Sequence, residues 1–536
     1  MGIGLPDIAA EERTPLVVAL LEIIRQQGEL IQQLRDEIAM LKGQKPRPKI
    51  QPSRLEQSPP PAPGTTPEPP SKRPGSSKRC KNAQLTIHED KRLLVQDAPQ
   101  GAVTVGWEPF TVQDLLVQPW NTRYWRQVMR TPDGQTVRAP LPDLVAGSPH
   151  FGATLVGYLI YQHHHNHVTQ PLLLEELIEL GIDISAGQIN NILTENKDAF
   201  HQEKDEILQA GLQASVYVGV DDTGARHDGK NGYCTHIGNE LFAYFESTDS
   251  KSRRNFLQIL RRPHTDYVIN ETALAYWERQ QVPASVIAQL RSGPNHFADA
   301  ATWEAHLAAL GITAERLVRA ATEGALLGSL TAHGVSPQLV ILSDGAPQFD
   351  VLVHAACWIH AERPLVRMIP YSEPHRAAIE KVRDQIWTLY RDLKAYRAQP
   401  DPACLPDLQA RFDALVEQRT DFPNINAVLQ EMRVHRADLL RVLEQPAVPL
   451  HNNISETHVR DYVKKRKISG STRSEAGRRC RDTFASLKKT CRCLGIAFWQ
   501  YLNDRLRGLD QIARLAQIIR ERARENPPPI VVKGPA

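Results

Sequence analysis

Long apolar runs are absent from these 536 residues. No stretch approaches the roughly 18 apolar residues that a membrane-spanning helix needs. The N-terminal segment also lacks the basic-then-apolar layout of a secretion signal. Cysteine is scarce: the seven residues, at 80, 234, 357, 404, 480, 491 and 493, form no CxxC pair and are odd in number. Reduced thiols fit that pattern better than a disulfide framework, so a soluble intracellular protein is expected. Net charge is nearly absent as well, 64 Lys+Arg against 61 Asp+Glu leaving +3. The length allows three to five folding units at roughly 100–200 residues each. With 41% hydrophobic and 23% charged residues, most of the chain is expected to be globular.

What is there divides into segments. In 1–42, Val17, Leu20, Ile24, Ile31, Leu34, Ile38 and Leu41 make a heptad seam interrupted by Gln27. Ile at first and Leu at fourth positions favours a parallel two-stranded coil, hence a dimerisation helix. A single amphipathic helix docked on its own chain is the other reading. Segment 43–80 holds 11 prolines in 38 residues and eight basic against two acidic side chains, a net +6. It cannot bury a core and reads as an extended tether, either a plain spacer or a loose hold on phosphates. Segment 81–145 reads as a small β-rich module, with alternation at Ala102 to Val105 and Gln135 to Ala139. Cys80 and His88 lack the further ligands of a structural zinc site.

Segment 146–210 turns helical. Leu174 to Leu180 and Ala186 to Leu193 predict two short helices, with Ser185 as N-cap of the second. The outline is that of a DNA-binding helix-turn-helix, though ordinary helical packing produces the same pattern. His163, His164, His165 and His167 precede it. Without a carboxylate to complete a metal set, solvated or locally bonded histidines are expected there. Residues 211–506 carry the chemistry, and 507–536 form a last helix and tail. Within 211–506, an interval at about 252–338 is rich in helix, as at Ala301 to Leu310 and Ala314 to Leu330, and reads as an inserted subdomain.

Three acids stand out. Val216 to Val220 is a β-prone run ending at Asp221 and Asp222; a polar turn, His227 to Gly232, and a second β-prone segment, Tyr233 to Phe245, predict a hairpin. Leu339 to Leu342 ends at Ser343 and Asp344. Strand tips are where open sheets place ligands for a divalent ion, although either Asp alone is as well explained by a turn. Glu456 falls in the first turn of a helix capped by Asn452 or Asn453, with Arg460 one turn on and Lys464 to Lys467 behind. Carboxylates sharing two Mg²⁺ ions drive in-line phosphodiester displacement, and Asp221, Asp344 and Glu456 supply such a set if their elements are neighbours. From 456 to 492, twelve basic residues face four acids, a net +8. That is an electrostatic footprint for polyphosphate or, more plainly, a solvated helix surface. Together with the tether it carries +14, so the rest of the chain sums to −11.

The order of heptad helix, helical segment, Asp-Asp-Thr after a strand, Cys357 to Arg363 after the second Asp, and Asn452-Asn453 before Glu456 resembles the insertion-sequence sixty-six group of bacterial DDE transposases. Ser486-Leu487, Thr490, Gly495 and Tyr501-Leu502 resemble that group's C-terminal signature. The resemblance implies an α/β ribonuclease-H-like catalytic core, a mixed sheet flanked by helices. It implies Asp221, Asp344 and Glu456 as the catalytic, metal-binding triad, with Mg²⁺ as the ion and Mn²⁺ as a substitute. His360 and Arg363 near the second acid, and Asn453, Arg460, Lys464, Arg466 and Lys467 near the third, would contact DNA. The activity implied is metal-dependent strand cleavage and strand transfer at the ends of an insertion sequence, in the bacterial cytoplasm at the nucleoid. DNA ends and target would be the partners, bound by a homodimer or higher synaptic oligomer. Two other readings stay open: an inactive DNA-binding dimer, and a nuclease that cuts without joining. Two departures from the group are visible. Asp222 replaces the usual Glu after the first Asp, and the group's cysteine-rich zinc ribbon is reduced to Cys80.

Overall fold

A computed structural model describes residues 85–97, 100–142 and 150–525. The predicted coiled coil and the whole of the tether lie outside them. The chain falls into two compact units, one ending at Gln118 and the other beginning at Pro119. The described part of the first has no helix or strand; Val105 and Phe110 are exposed, and Arg92 lies over the Trp107 ring. Ala102 to Val105, read from the sequence as a strand, therefore carries none: its apolar residues find no partner strand or core to cover them.

The second unit begins with a small hairpin, β1 (Val128–Arg130) and β2 (Thr136–Arg138). Four helices follow: α1 (Ala153–Ile160), α2 (Gln170–Glu179), α3 (Ala186–Thr194) and α4 (Asp198–Ala214). A π-helical turn, Tyr161–His165, leads out of α1. Ser185 caps α3 as its sequence predicts, accepting from Gln188 N while Gln188 reaches back in a capping box. Ile189 and Leu193 are buried, whereas Gln188, Asn190 and Asn191 face solvent.

The centre is a five-stranded mixed sheet. Its strands are β3 (Tyr217–Gly224), β4 (Tyr233–Gly238), β5 (Ala243–Thr248), β8 (Val340–Ser343) and β9 (Val353–Ala356), in the spatial order β5-β4-β3-β8-β9. The first three form an antiparallel meander, while β8 and β9 run parallel to β3. The sequence alone suggested one segment from Tyr233 to Phe245. The structure breaks it at Asn239, whose side-chain amide donates to Ser215 Oγ and Tyr217 O and whose Oδ1 accepts from Leu241 N, building a turn.

Between β5 and β8 the chain runs through α5 (Arg253–Leu260), β6 (Tyr267–Val268), α6 (Glu271–Arg279), α7 (Ala284–Arg291), β7 (His296–Phe297), α8 (Ala300–Ala309) and α9 (Glu315–Ala332). These elements pack around Trp277 and Trp303, both fully buried. A β-carbon on Gly324 would sit 2.1 Å from Trp277 Nε1, so glycine there lets α9 approach closely enough for that indole to donate to Ala320 O at 3.0 Å.

After β9 come α10 (Trp358–Arg367), α11 (Glu373–Ala398), α12 (Leu405–Glu417), α13 (Pro423–Val434) and the short α14 (Arg436–Leu439) and α15 (Arg441–Glu444). Ile379, Val382, Ile386, Leu389 and Leu393 line the buried face of α11 at helical spacing. The unit closes with α16 (Asn453–Ser469), α17 (Glu475–Cys493), α18 (Phe498–Arg507) and α19 (Leu515–Glu525). Among the described residues no helix is long and apolar enough to cross a membrane.

Candidate active site

Strand register builds the site. β3 and β8 are parallel neighbours with Gly219 opposite Leu342. Asp221 and Asp344 each lie two residues further along, at the same end of adjacent strands that in any sheet run about 4.8 Å apart. The third acid arrives from α16, whose first turn carries Glu456. That turn lies against Gly219, where an added β-carbon would meet Asn452 Oδ1 at 2.5 Å and Ser455 Oγ at 2.6 Å.

Asn452 was read from the sequence as a possible cap; it occupies the N-cap position, but its side chain makes no cap bond. Instead Nδ2 donates to Val220 O at 2.6 Å, and its backbone N faces Cys357 Sγ at 3.4 Å. The asparagine thus ties α16 to β3 and to the start of α10. No periodic pattern betrays such a role; the only signal was two adjacent asparagines before the acid.

Strand alternation separates the paired aspartates. Asp221 lies on the face of Gly219, toward α16. Asp222 points the other way, accepting from Thr235 Oγ1 at 2.6 Å and Gln348 Nε2 at 3.0 Å. Gln348 sits in the turn Pro347–Phe349 just after Asp344, a partner that sequence reading missed. The Asp221 carboxyl is pushed up to about 7, first by burial and then by the negative charge of Asp344, with Asp222 and Glu456 adding to it. Asp222 is also raised by burial, against the pull of its two donors.

Glu456 sits between two arginines and a histidine. Arg460 Nη2 lies 3.4 Å from one oxygen, and Arg363 Nη2 and His360 Nε2 lie 3.5 and 3.8 Å from the other. Arg363 Nη1 also approaches His360 Nε2 at 2.8 Å. A guanidinium only donates, so that ring nitrogen is the acceptor and the imidazole is neutral, in keeping with burial and Arg363 lowering its pKa. Arg466 Nη1 reaches Thr223 Oγ1 at 3.3 Å; Lys464 and Lys467 project into solvent, and Asn453 is half-buried.

The counted basic density needs one correction. Lys465, Arg481, Lys488 and Lys489, four of the twelve basic residues in 456–492, are buried and cannot meet phosphate. Of the two readings of the histidine run, the locally bonded one holds. His163 Nδ1 bonds to Val168 O at 2.8 Å, His164 is buried against Phe484, and His165 stacks on Tyr161.

A divalent ion fits the donor chemistry of the aspartates. Two carboxylates at the end of adjacent strands, one of them raised toward neutrality by burial and then by its negative neighbours, form an uncompensated anionic site. Among the described residues, however, no three His, Cys, Asp or Glu side chains are gathered closely enough to enclose an ion. Glu456 is engaged by Arg363 and Arg460 instead.

A five-stranded mixed sheet in this order, with acids at the tips of two central strands and on a crossing helix, is compatible with a ribonuclease-H-like core. Comparison with known proteins narrows the class. The model of the Transposase IS66 family matches residues 344–479, a stretch holding the second and third acids. An uncharacterized protein of Sinorhizobium fredii, y4jO, is 41% identical over 322 residues, 59% of this chain and 100% of that protein. The chain belongs to the IS66 family of transposases. Transposition, a process that acts on DNA, is the function this family suggests.

Proposed function

We propose that the chain cuts DNA at the ends of an insertion sequence and joins the freed 3′-hydroxyl ends to target DNA. Asp221, Asp344 and Glu456 are the catalytic and metal-binding groups in this reading. The observation that carries it is the shared end of the parallel neighbours β3 and β8, which sets Asp221 beside Asp344, with the first turn of α16 and its Glu456 packed against Gly219. Asp221 and Asp344 would hold Mg²⁺, or Mn²⁺ in its place, and Glu456 would complete the set on leaving Arg363 and Arg460; the ion when bound supplies activation of the attacking oxygen and neutralises charge on the phosphate.

The chain's own groups do the rest. Arg363 and Arg460, both beside Glu456, orient a phosphodiester and balance its charge. Neutral His360 accepts from Arg363 and so holds that guanidinium toward the site. Arg466, Lys464, Lys467 and Asn453 extend the phosphate track along α16. The exposed face of α3, with Asn190 and Asn191, carries amides suited to reading adenine in a major groove, supporting sequence recognition there. Dimerisation through the N-terminal heptads would bring two ends together.

A donor DNA carrying the element's terminal inverted repeats, incubated with target DNA and Mg²⁺, tests the proposal. Nicked and joined products are expected from the wild-type chain, with Glu456→Gln lowering both by on the order of 100-fold or more. Undiminished cleavage by Glu456→Gln would remove Glu456 from the site, and cleavage without any joining would assign a nuclease.

A further inference from the structure

The buried basic residues that the phosphate track does not use converge on one place. Beneath the π-helical turn, between α16 and α17, a cavity leaves about 20 Å³ for the centre of a water-sized sphere. That is room for a water or a small ion such as a halide. Lys465, Arg481, Lys488 and Lys489 line it with a single carboxylate, Asp461. All four cations are buried, at 6, 8, 8 and 5% exposure.

Asp461 cannot serve them all. Lys488 and Lys489 share its Oδ2, at 3.2 and 3.0 Å. Among the described residues no carboxylate comes within 4.0 Å of Lys465 or Arg481. Lys465 Nζ rests on His163 O at 2.6 Å, and Arg481 Nη2 on Gly470 O at 3.1 Å. His164 also lines the cavity, and its Nε2 is buried with no hydrogen-bond partner. Buried cations without counter-charge are costly, and here four positive groups surround one negative. Burial and the neighbouring Arg481 and Lys488 push Lys465 down to about 7, the response of a cation lacking an anion.

We propose that this cavity is a binding site for a small monovalent anion of the halide class, held by Lys465 and Arg481 with His164 Nε2 as a further donor. Such an ion supplies the second negative charge that the cluster lacks. It locks the histidine turn, α16 and α17 together behind the strand-cleavage face. The site is independent of the catalytic reading, since none of its groups belongs to that face.

Thermal unfolding of the full chain in chloride, bromide and gluconate at equal ionic strength and pH tests it. Chloride and bromide are expected to raise the melting temperature over gluconate, saturating with concentration, and Lys465→Met and Arg481→Gln each to remove that increment. Crystals grown in bromide should show an anomalous peak between Lys465 and His164, a readout that does not depend on either variant folding. Equal melting of the wild-type chain in all three salts, or bromide-grown crystals with no peak in the cavity, overturns the proposal.

Discussion

A β-carbon on Gly219 would lie 2.5 Å from Asn452 Oδ1 and 2.6 Å from Ser455 Oγ, well inside van der Waals contact. Neither neighbour can step aside. Ser455 is fully buried, and Asn452 is held by its bond to Val220 O. Gly219→Ala should therefore lift the first turn of α16 and displace Glu456 from the strand tips. The expected cost is about 1–3 kcal/mol of stability, as for other overpacked interiors. Loss of DNA cleavage should exceed it, because the displaced residue is the third acid. Melting curves together with cleavage at a temperature where the variant stays folded make the distinction; wild-type cleavage would show that the close approach does not position Glu456.

At the scale of elements, α16 divides its cations between two environments. Lys464 and Lys467 are exposed while Lys465, between them in sequence, is buried. Lys464→Ala and Lys467→Ala should each lower the slope of log affinity for DNA against log salt by roughly 1, with little change in melting temperature. Lys489→Met should do the opposite, lowering the melting temperature and leaving the slope alone; a changed slope there would mean that the lysine reaches phosphate. The charge count from the sequence merged these two populations, since composition records sign and not direction. Other elements were legible for physical reasons. Buried central strands read as apolar runs, so β3 and β8 and the acids at their ends stood out. Ser185 advertised the start of α3 through ordinary cap chemistry. The turn at Asn239 was hidden because β-prone residues flank it on both sides. Asn452 was hidden because its bond spans more than two hundred residues, beyond any local pattern. The helices α11 to α15, which separate Asp344 from Glu456, carried a readable apolar stripe but no chemistry to draw attention to it.

At the scale of the whole molecule, acid should unfold this protein through its histidines. Burial holds His163 down to about 3 and His201 and His458 to about 4, while His164 and His236 are pushed well below the usual value. An unfolded histidine takes up its proton near pH 6.5. Between that value and about 4 the unfolded chain binds protons that the folded chain refuses, so stability falls as pH falls through this window. Asp221, raised to about 7, and Asp482, raised by burial, act in the opposite sense, because the folded protein holds their protons first. Asp205 and Asp222, also raised by burial, join them, but among the described residues ten histidines are lowered against these four carboxyls, which leaves the acid limb dominant. Asp461 adds to it lower down: its pKa is depressed by His167 and by Lys488 and Lys489, so its contribution is present above pH 4 and lost below. The melting temperature should hence decline steadily from pH 6.5 to 4. His201→Gln, which keeps a hydrogen-bonding group beside Thr483 Oγ1 but cannot take a proton, should flatten the decline. An unchanged slope in that variant would move the acid sensitivity away from His201, onto His163, His164, His236 and His458.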